Sequence, residues 1–338
     1  MHGHPDGENA AKLRHNPVFL LSQHLATAIA MPFPIFTSPC QLLSDASVLG
    51  RQVWVKRDDM LHAQVSGNKF RKLKFPLQRL QQLPQHSAKP VALITMGGPW
   101  SNHLHALAHA AKICGYPCLG LVRGPHVTDS ATLDDCRRLG MEIRFVTREE
   151  YRALRDVPDQ WRKHAGKDDH EWTWFPEGGS SAAALHGVAE LVDELPFVPD
   201  TLVVACGTGA TLSGLLAGMR GRGRVLGIAV LKNADYLRAE IARLLQQAGY
   251  PAYDNYELLT GFHHGGYAKV TDELLAFCRD FFARTGIPVE PVYTGKMFHA
   301  LKQLTADGEF RPDESVVAVH TGGLQGARGF AAYQEQAG

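Results

Sequence analysis

Short runs of apolar, often β-branched residues alternate along the chain with longer segments whose apolar positions recur at helical spacing. The runs that predict buried strands are 91–95, 118–122, 142–146, 201–205, 224–230 and 316–319. The segments that predict helices are 69–80, 234–247, 271–284 and 296–305, and those that begin near Ser101, Asp129, Arg148, Ser181 and Thr211. Strands that alternate with helices in this way imply right-handed crossovers and parallel pairing. The predicted fold class is therefore α/β, with two open, mainly parallel twisted sheets and helices on both faces.

A break in this pattern divides the chain. The polar stretch 163–171 is followed by Pro176-Glu177-Gly178-Gly179, and both features interrupt regular structure. Residues from about 70 to 185 predict one compact unit. Beyond this unit strands and helices alternate again and predict a second, larger sheet.

The composition excludes several classes of partner. The 338 residues include 35 basic and 34 acidic side chains, for a net charge of +1, so no general field attracts nucleic acid or an anionic membrane surface. No stretch reaches the roughly 20 apolar residues of a membrane span. The apolar stretch 18–30 near the N-terminus is interrupted by polar residues, which favours an amphipathic helix over a signal peptide. Small neutral or zwitterionic molecules are the expected partners.

The cysteines and histidines indicate neither a disulfide framework nor a metal site. Six cysteines are scattered along the chain without a C-x-x-C pair, which is typical of reduced thiols in the cytoplasm. His2, His4, His263 and His264 lie without carboxylates at ligand spacing, so surface or tail positions are expected for them and no metal site. The cysteines are Cys40, Cys114, Cys118, Cys136, Cys206 and Cys278.

The stretch Ser66-Gly67-Asn68-Lys69-Phe70-Arg71-Lys72-Leu73 carries the first candidate chemistry. Its short polar residues are typical of a helix N-cap and place Lys69 in the first helical turn. The positive end of the helix dipole and the neighbouring Arg71 and Lys72 disfavour an ammonium there, which predicts a lowered pKa for Lys69. A neutral lysine amine can form an imine with an aldehyde. The alternative is a solvated basic face of the helix.

Cys206-Gly207-Thr208-Gly209-Ala210-Thr211 follows a predicted strand and opens a helix. Glycines let several N–H groups point at one spot, and the helix N-terminus adds a positive dipole, so the loop suits a phosphate. The lysine of a nucleotide-binding P-loop and the third glycine of a dinucleotide-binding loop are both missing, which disfavours those ligands. The alternative is a simple turn from strand to helix.

Two further loops carry polar groups at predicted helix starts. In Gly97-Gly98-Pro99-Trp100-Ser101-Asn102-His103, free N–H groups and the Ser101 hydroxyl suit a carboxylate, and simple capping is the alternative. Glu290-Pro291-Val292-Tyr293-Thr294-Gly295-Lys296 offers hydroxyls, although Tyr293 is also compatible with a core position. An activated lysine, a phosphate site and a carboxylate site together indicate pyridoxal 5′-phosphate as cofactor.

The chain resembles the fold-type II, tryptophan synthase β-like pyridoxal phosphate enzymes, and among them the family of D-cysteine desulfhydrases and 1-aminocyclopropane-1-carboxylate (ACC) deaminases. The resemblance runs from about Ser38 to Gly323. The motifs that carry it, in chain order, are Val55-Lys56-Arg57-Asp58-Asp59, the stretch 66–73, Gly97-Gly98 with Ser101-Asn102-His103, Gly178-Gly179-Ser180, the loop 207–211, Pro291-Val292-Tyr293-Thr294-Gly295-Lys296 and His320-Thr321-Gly322-Gly323.

The resemblance implies a large cofactor-binding domain (1–69 plus 186–338), a small α/β domain (70–185), a cofactor in the cleft between them and a homodimer. It also implies a role for each candidate residue. The catalytic group comprises Lys69, which forms the Schiff base and moves the α proton, with Ser101, Tyr293 and Tyr267. The cofactor is bound by Lys69, Asn68, Gly207, Thr208, Gly209, Ala210 and Thr211, with Thr294 or Thr321 facing the pyridine nitrogen. The substrate is bound by Ser101, Asn102 and His103, with Trp100 beside them.

Thr294 favours one chemistry within this family. ACC deaminases resemble one another in placing Glu at this position, and a carboxylate there keeps the pyridine nitrogen protonated for ring opening. A threonine instead favours α,β-elimination of D-cysteine or a related β-substituted amino acid. Trp100 and the sequence after Tyr267 depart from the usual motifs, which leaves the substrate open. ACC deamination, amino-acid racemisation and a non-catalytic cofactor-binding role remain the alternatives.

Overall fold

The computed structural model describes residues 37–65, 67–82, 89–124, 130–157, 159–165 and 169–330. Within these ranges the strands are β1 (Cys40–Leu42), β2 (Trp54–Lys56), β3 (Val91–Gly97), β4 (Cys118–Arg123), β5 (Met141–Val146), β6 (Glu171–Phe175), β7 (Thr201–Cys206), β8 (Arg224–Ala229), β9 (Tyr256–Leu259) and β10 (Val316–Val319). The α-helices are α1 (Asn68–Gln81), α2 (Asn102–Cys114), α3 (Ala131–Arg138), α4 (Arg148–Asp156), α5 (Ala182–Asp193), α6 (Ala210–Met219), α7 (Leu237–Gln247), α8 (Asp272–Thr285) and α9 (Thr294–Ala306). The helix expected within 18–30 lies outside the described residues.

The smaller sheet consists of four parallel strands in the order β5-β4-β3-β6. Its central strand β3 is apolar along nearly its whole length because both faces are covered. Leu93 packs in a core with residues of α1 and α2, whereas Ile94 and Met96 pack on the other face with residues of α4.

The larger sheet has six strands in the order β1-β2-β10-β7-β8-β9. All neighbours are parallel except β1, which pairs antiparallel with β2. On β7, Val203 contributes to the core formed with α8 and α9, and Leu202 contributes to the core on the opposite face, formed with α5, α6 and α7. Because β10 lies between β2 and β7, the loop that follows β10 is brought beside the start of α1.

The predicted fold class is confirmed, and each of the six predicted strands is present with ends within two residues of those expected. Four further strands were not predicted. Three of them, β1, β6 and β9, lie at sheet edges, where fewer positions must be apolar, and β2 is too short to show an alternation. The stretch 163–171, expected as a connector, ends in the first residue of β6. The predicted helix 234–247 begins as a 3₁₀ turn and becomes α7 at Leu237.

Helix α1, which carries Lys69, is held close to α5, and α5 is held close to α6. A Cβ added at Gly187 of α5 would lie 2.0 Å from the carbonyl oxygen of Arg71, and one at Gly214 of α6 would lie 2.4 Å from the Cβ of Val188. Glycine at both positions therefore allows backbone approach that any larger residue would prevent. This packing fixes α1 against the larger sheet.

Candidate active site

Loops at the carboxyl ends of strands from both sheets surround a cavity of about 290 Å³. Parallel strands bring these loops to one edge of each sheet, which explains why segments distant in sequence meet there. The lining residues are Asn68, Lys69, Lys72, Gly98, Ser101, Asn102, His103, Arg123, Arg155, Glu177, Gly178, Ala205, Cys206, Gly207, Thr208, Gly209, Thr211, Leu231, Tyr236, Tyr267, Tyr293, Thr321 and Gly322.

Lys69 is the second residue of α1, as predicted, and lines the cavity. Its Nζ lies 3.4 Å from the carbonyl oxygen of Gly178. Burial lowers the pKa of Lys69 to about 8. A substantial fraction of the amine is therefore neutral near pH 8, the form that reacts with an aldehyde.

The predicted direction of this pKa shift is confirmed, but its cause is desolvation and not the charge of Arg71, which was one of the contributions expected. Desolvation lowers the pKa of Lys69, whereas the positive charge of Arg71 is balanced by two carboxylates. Arg71 Nε donates to Asp58 at 2.6 Å and Nη1 donates to Glu194 at 2.9 Å. Lys56 is also paired with Glu194. The side chains of Arg71 and Lys72 are buried, so the alternative of a solvated basic face is wrong.

Lys72 was not predicted as a site residue, yet it lines the cavity one turn beyond Lys69. It is 2% exposed, and its Nζ lies 3.3 Å from the same carbonyl oxygen of Gly178. Burial and the nearby Lys69 hold the pKa of Lys72 well below its ordinary value. An anion in the cavity would favour its charged form. The spacing of three residues on one helix was the signal in the sequence that could have identified it.

The glycine-rich loop 207–211 connects β7 to α6, as predicted. Gly209 has φ +83° and is the N-cap of α6, where no side chain caps the helix. The N-terminus of α6 is therefore suited to an anion. Two hydroxyls of the loop are held by neighbours, since Asn68 Nδ2 donates to Thr211 Oγ1 at 2.9 Å and Ser180 Oγ donates to Thr208 Oγ1 at 2.6 Å. Ala210, a predicted cofactor residue, is buried in the first turn of α6 and is not among the lining residues.

The N-terminus of α2 forms another part of the wall through Gly98, Ser101, Asn102 and His103. Ser101 caps the helix, because its Oγ accepts the N–H of Leu104 at 3.3 Å, and its hydroxyl hydrogen remains able to donate to a ligand. Capping and ligand binding are therefore compatible at this serine.

His103 is the most enclosed polar side chain of this wall. It is 1% exposed, and neither ring nitrogen has a hydrogen-bond partner within the described residues. Burial, together with the charges of Lys69 and Lys72, holds the pKa of His103 well below its ordinary value, so the imidazole is neutral. Buried nitrogens without partners carry an energetic cost that a ligand can relieve.

Tyr267 and Tyr293 lie together at another side of the cavity, with ring centroids 6.1 Å apart in an edge-on arrangement. Burial and the neighbouring Tyr267 raise the pKa of Tyr293 well above its ordinary value, so its hydroxyl is a neutral donor. A Cβ at Gly207 would lie 3.0 Å from the Tyr293 ring, so the glycine loop and this tyrosine are in close contact.

Of the two threonines proposed to face the pyridine nitrogen, only Thr321 is among the lining residues. Thr294 is fully buried at the start of α9, where its hydroxyl donates to the carboxylate of Glu290 at 3.1 Å and accepts the Glu290 N–H at 3.0 Å. Trp100 is also not among the lining residues and packs beside Gly329. The roles predicted for Thr294 and Trp100 stay predictions.

Four polar lining residues beyond Lys72 were not anticipated as site residues, namely Arg123, Arg155, Glu177 and Tyr236. Arg123 ends β4 and Glu177 adjoins Gly178, so position at a strand end or beside a glycine turn was the signal available for these two. For Arg155 and Tyr236 the sequence contains no comparable signal. Among the described residues, no group of three or more metal-ligating side chains is present, and no described helix is long and apolar enough to cross a membrane.

These residues fit pyridoxal phosphate. The aldehyde of that cofactor needs an amine, which Lys69 offers with a lowered pKa. The phosphate needs an anion site, which the uncapped start of α6 and the buried Lys72 offer. The two ring nitrogens of His103, which have no hydrogen-bond partner among the described residues, are available to bond a polar ligand in the cavity.

Comparisons with known proteins agree with this geometry. Residues 33–322 match the family described as pyridoxal-phosphate dependent enzyme. A Pyrococcus horikoshii protein with the provisional name 1-aminocyclopropane-1-carboxylate deaminase is 29% identical over 92% of this chain and 96% of its own length. A mitochondrial Arabidopsis thaliana protein named bifunctional D-cysteine desulfhydrase/1-aminocyclopropane-1-carboxylate deaminase is 28% identical over 82% of this chain and 73% of its own. A crystal structure of an ACC deaminase homologue superposes with a TM-score of 0.73 at 30% identity, over 87% of this chain and 93% of the other.

Proposed function

The chain belongs to the family of pyridoxal-phosphate dependent enzymes, and from this premise we propose that it is a lyase that catalyses α,β-elimination of D-cysteine or a related β-substituted amino acid. The products from D-cysteine are pyruvate, ammonia and sulfide. The observation that carries the proposal is the partly buried amine of Lys69, with its pKa lowered to about 8, in a cavity that has an anion site on one side and the start of α2 on another.

The cofactor supplies the electron sink that stabilises negative charge on the substrate Cα. Lys69 would hold it covalently in the proposed arrangement. The loop 207–211 and Lys72 would hold its phosphate, and Asn68, whose amide already contacts Thr211, would hold its 3′ oxygen. Thr321 is the better placed of the two threonines to face the pyridine nitrogen, because it lines the cavity and the hydroxyl of Thr294 is bonded to Glu290.

Lys69 removes the α proton of the substrate. A base must be unprotonated to act, and the lowered pKa makes the neutral amine available at moderately alkaline pH. Ser101, Asn102 and His103 bind the α-carboxylate at the start of α2, where N–H groups and the helix dipole favour an anion. Tyr267 and Tyr293 line the substrate side as neutral hydroxyls.

ACC deamination is the second candidate, and the names of the relatives support it. The residue after Tyr293 favours elimination instead, because Thr294 offers a hydroxyl where ring opening calls for a carboxylate. The carboxylate nearest to it in sequence, Glu290, accepts the Thr294 hydroxyl and the N–H groups of Val292 and Tyr293. Racemisation on the same scaffold and non-catalytic cofactor binding are separated from both by the products formed.

The test is to mix the purified holoprotein with D-cysteine, L-cysteine and ACC, and to measure sulfide, pyruvate, 2-oxobutyrate and inversion of the substrate. We expect sulfide and pyruvate in equal amounts from D-cysteine. Lys69→Ala should abolish turnover, whereas the control Lys74→Ala should not, because Lys74 is paired with Glu190 of α5 and does not line the cavity. 2-Oxobutyrate from ACC without sulfide from cysteine would support the second candidate, and inversion alone would support a racemase. Turnover retained in Lys69→Ala would refute the mechanism.

Three further expectations, on cellular location, assembly and domain bounds, complete the proposal. We place the enzyme in the cytoplasm, which is supported by the six free thiols. We propose a homodimer on the basis of the family resemblance. We assign residues 70–185 to a small domain and 1–69 plus 186–338 to a large one, with the cofactor between them, which is supported by the confinement of β3 to β6 within 91–175.

A further inference from the structure

Two arginines at the cavity have no role in the chemistry described so far. Arg123 ends β4 and lines the cavity, with its guanidinium 5.3 Å above the ring centre of Tyr151. Tyr151 is itself fixed, because its hydroxyl donates to Glu177 Oε1 at 2.6 Å. Within the described residues Arg123 forms no ion pair. An arginine held on an aromatic face with its donors uncommitted is pre-organised to bind an anion.

Arg155 reaches the same cavity from α4. Its ion pair is with the adjacent Asp156, and both side chains are exposed. An exposed pair between adjacent residues contributes little stability, so a ligand can replace it at small cost. The hydrogen bond to Asp156 raises the pKa of Arg155, and Glu177 and Tyr236 lie close enough to raise it further.

The charges that line the cavity do not balance after the proposed ligands are placed. The lining contains four basic side chains, Lys69, Lys72, Arg123 and Arg155, and one carboxylate, Glu177. In the proposed arrangement, Lys69 binds the cofactor covalently, Lys72 and the start of α6 meet its phosphate, and the start of α2 meets the α-carboxylate of the substrate. Two guanidinium groups then remain beside one carboxylate of the lining. Arg155 is paired with Asp156, which lies outside the lining, so Arg123 is the guanidinium that has no ion-pair partner among the described residues.

We infer that the substrate carries a second anionic group, on its side chain, and that Arg123 and Arg155 bind it. This inference rests on the proposed function, because it assigns the phosphate and the α-carboxylate to other parts of the cavity. The substrate class is an amino acid whose β-substituent ends in a carboxylate, sulfonate or comparable anion. Arginine suits such groups because its planar donors bind two oxygens at once.

Matched esters test the inference by turnover. O-succinylserine and O-acetylserine lose similar carboxylate leaving groups on elimination, but only the first carries a further negative charge. With the enantiomer that the enzyme accepts, we expect kcat/KM to be higher for the succinyl ester than for the acetyl ester. Arg123→Gln and Arg155→Gln should each reduce kcat/KM for the succinyl ester by about tenfold to a hundredfold, which is the loss expected for one charge-assisted hydrogen bond. The acetyl ester should change by less than about threefold. The control Arg152→Gln removes an exposed arginine of the same helix that does not line the cavity, and should change neither ester.

Binding provides a readout that does not need elimination. The change in the cofactor absorption band on addition of glutamate or 2-aminobutyrate gives the affinity for an acidic and a neutral side chain, neither of which has a β leaving group. Tighter binding of glutamate than of 2-aminobutyrate, lost in Arg155→Gln, supports the inference even if the enzyme eliminates no substrate. A lack of elimination would refute only the proposed function. If Arg123→Gln fails to fold, Arg155→Gln and the wild-type preference decide the outcome. The inference would be overturned if the wild type turned over both esters and bound both amino acids equally well. It would also be overturned if the variants lost as much kcat/KM or affinity with the neutral compounds as with the acidic ones.

Discussion

Replacing Gly67 by alanine perturbs the contact that positions the start of α1. Gly67 has φ +61° and ψ −137°, a conformation that only glycine adopts without strain. A Cβ at this position would lie 1.9 Å from the carbonyl oxygen of Thr321. The next residue depends on the same carbonyl, since the N–H of Asn68 donates to it at 3.1 Å. Alanine at position 67 must therefore separate α1 from the loop after β10.

The cost of this change has two parts. Forcing a non-glycine residue into such a backbone conformation costs about 1–3 kcal/mol. Displacing packed backbone atoms to admit a methyl group costs about 1–3 kcal/mol more. We therefore expect Gly67→Ala to lower the free energy of unfolding by roughly 2–6 kcal/mol. The same displacement moves Lys69 relative to Thr321, so cofactor binding should weaken as well.

Gly115→Ala is the matched control. Gly115 also has a positive φ, +74°, but a Cβ there meets no atom within 4 Å. It should lose about 1 kcal/mol from backbone strain alone and should bind the cofactor normally. Urea unfolding of the three proteins without cofactor, followed by cofactor titration, measures both effects. If Gly67→Ala is no less stable than Gly115→Ala, the contact with Thr321 does not constrain α1 and the reasoning is refuted.

Two further predictions concern the lysines of the cavity. The rate at which the apoprotein takes up pyridoxal phosphate should rise as pH increases through about 8 and then level off, because the neutral amine of Lys69 reacts and the pKa of Lys69 is lowered to about 8. Stopped-flow absorbance measures this rate. A rise that occurs only near pH 10.5, the ordinary pKa of a lysine, would contradict the prediction. Lys72→Met should weaken cofactor binding by about tenfold to a hundredfold, because a charge-assisted contact to the phosphate is lost. The control Lys74→Met should leave cofactor binding unchanged. Equilibrium dialysis measures both affinities, and equal effects would assign Lys72 a purely structural role.

Features that depend on local sequence could be predicted. The start of α2 follows from Ser101, whose cap on Leu104 is a local hydrogen bond, and the start of α6 follows from the glycines after β7. The loops at strand ends converge because parallel strands place their carboxyl ends at one edge. Each of these inferences needs only a short window of sequence and a general rule of topology.

Features that depend on long-range packing could not be predicted. The low pKa of Lys69 was expected from neighbouring charges, but Arg71 is paired with Asp58 and with Glu194, which lies more than a hundred residues away. No local pattern reveals that pairing. Arg155 likewise has the appearance of an ordinary exposed helix residue, and only the packing of α4 against the smaller sheet brings it to the cavity.

The three cations Lys69, Arg71 and Lys72 of α1 differ in how their charge is compensated, with different consequences. Arg71 is balanced by Asp58 and Glu194, so its burial is compensated within the fold. Lys69 and Lys72 have no carboxylate partner among the described residues, and burial lowers the pKa of each. A buried amine that must give up its charge makes the empty fold less stable than a paired one would. An anionic ligand that restores the charge of Lys72 therefore binds the folded state selectively, and it stabilises the protein by an amount that grows with the ligand concentration relative to Kd. Among the described residues, the lack of a carboxylate partner at these two lysines thus suits the cavity to a ligand that brings both an aldehyde and a phosphate.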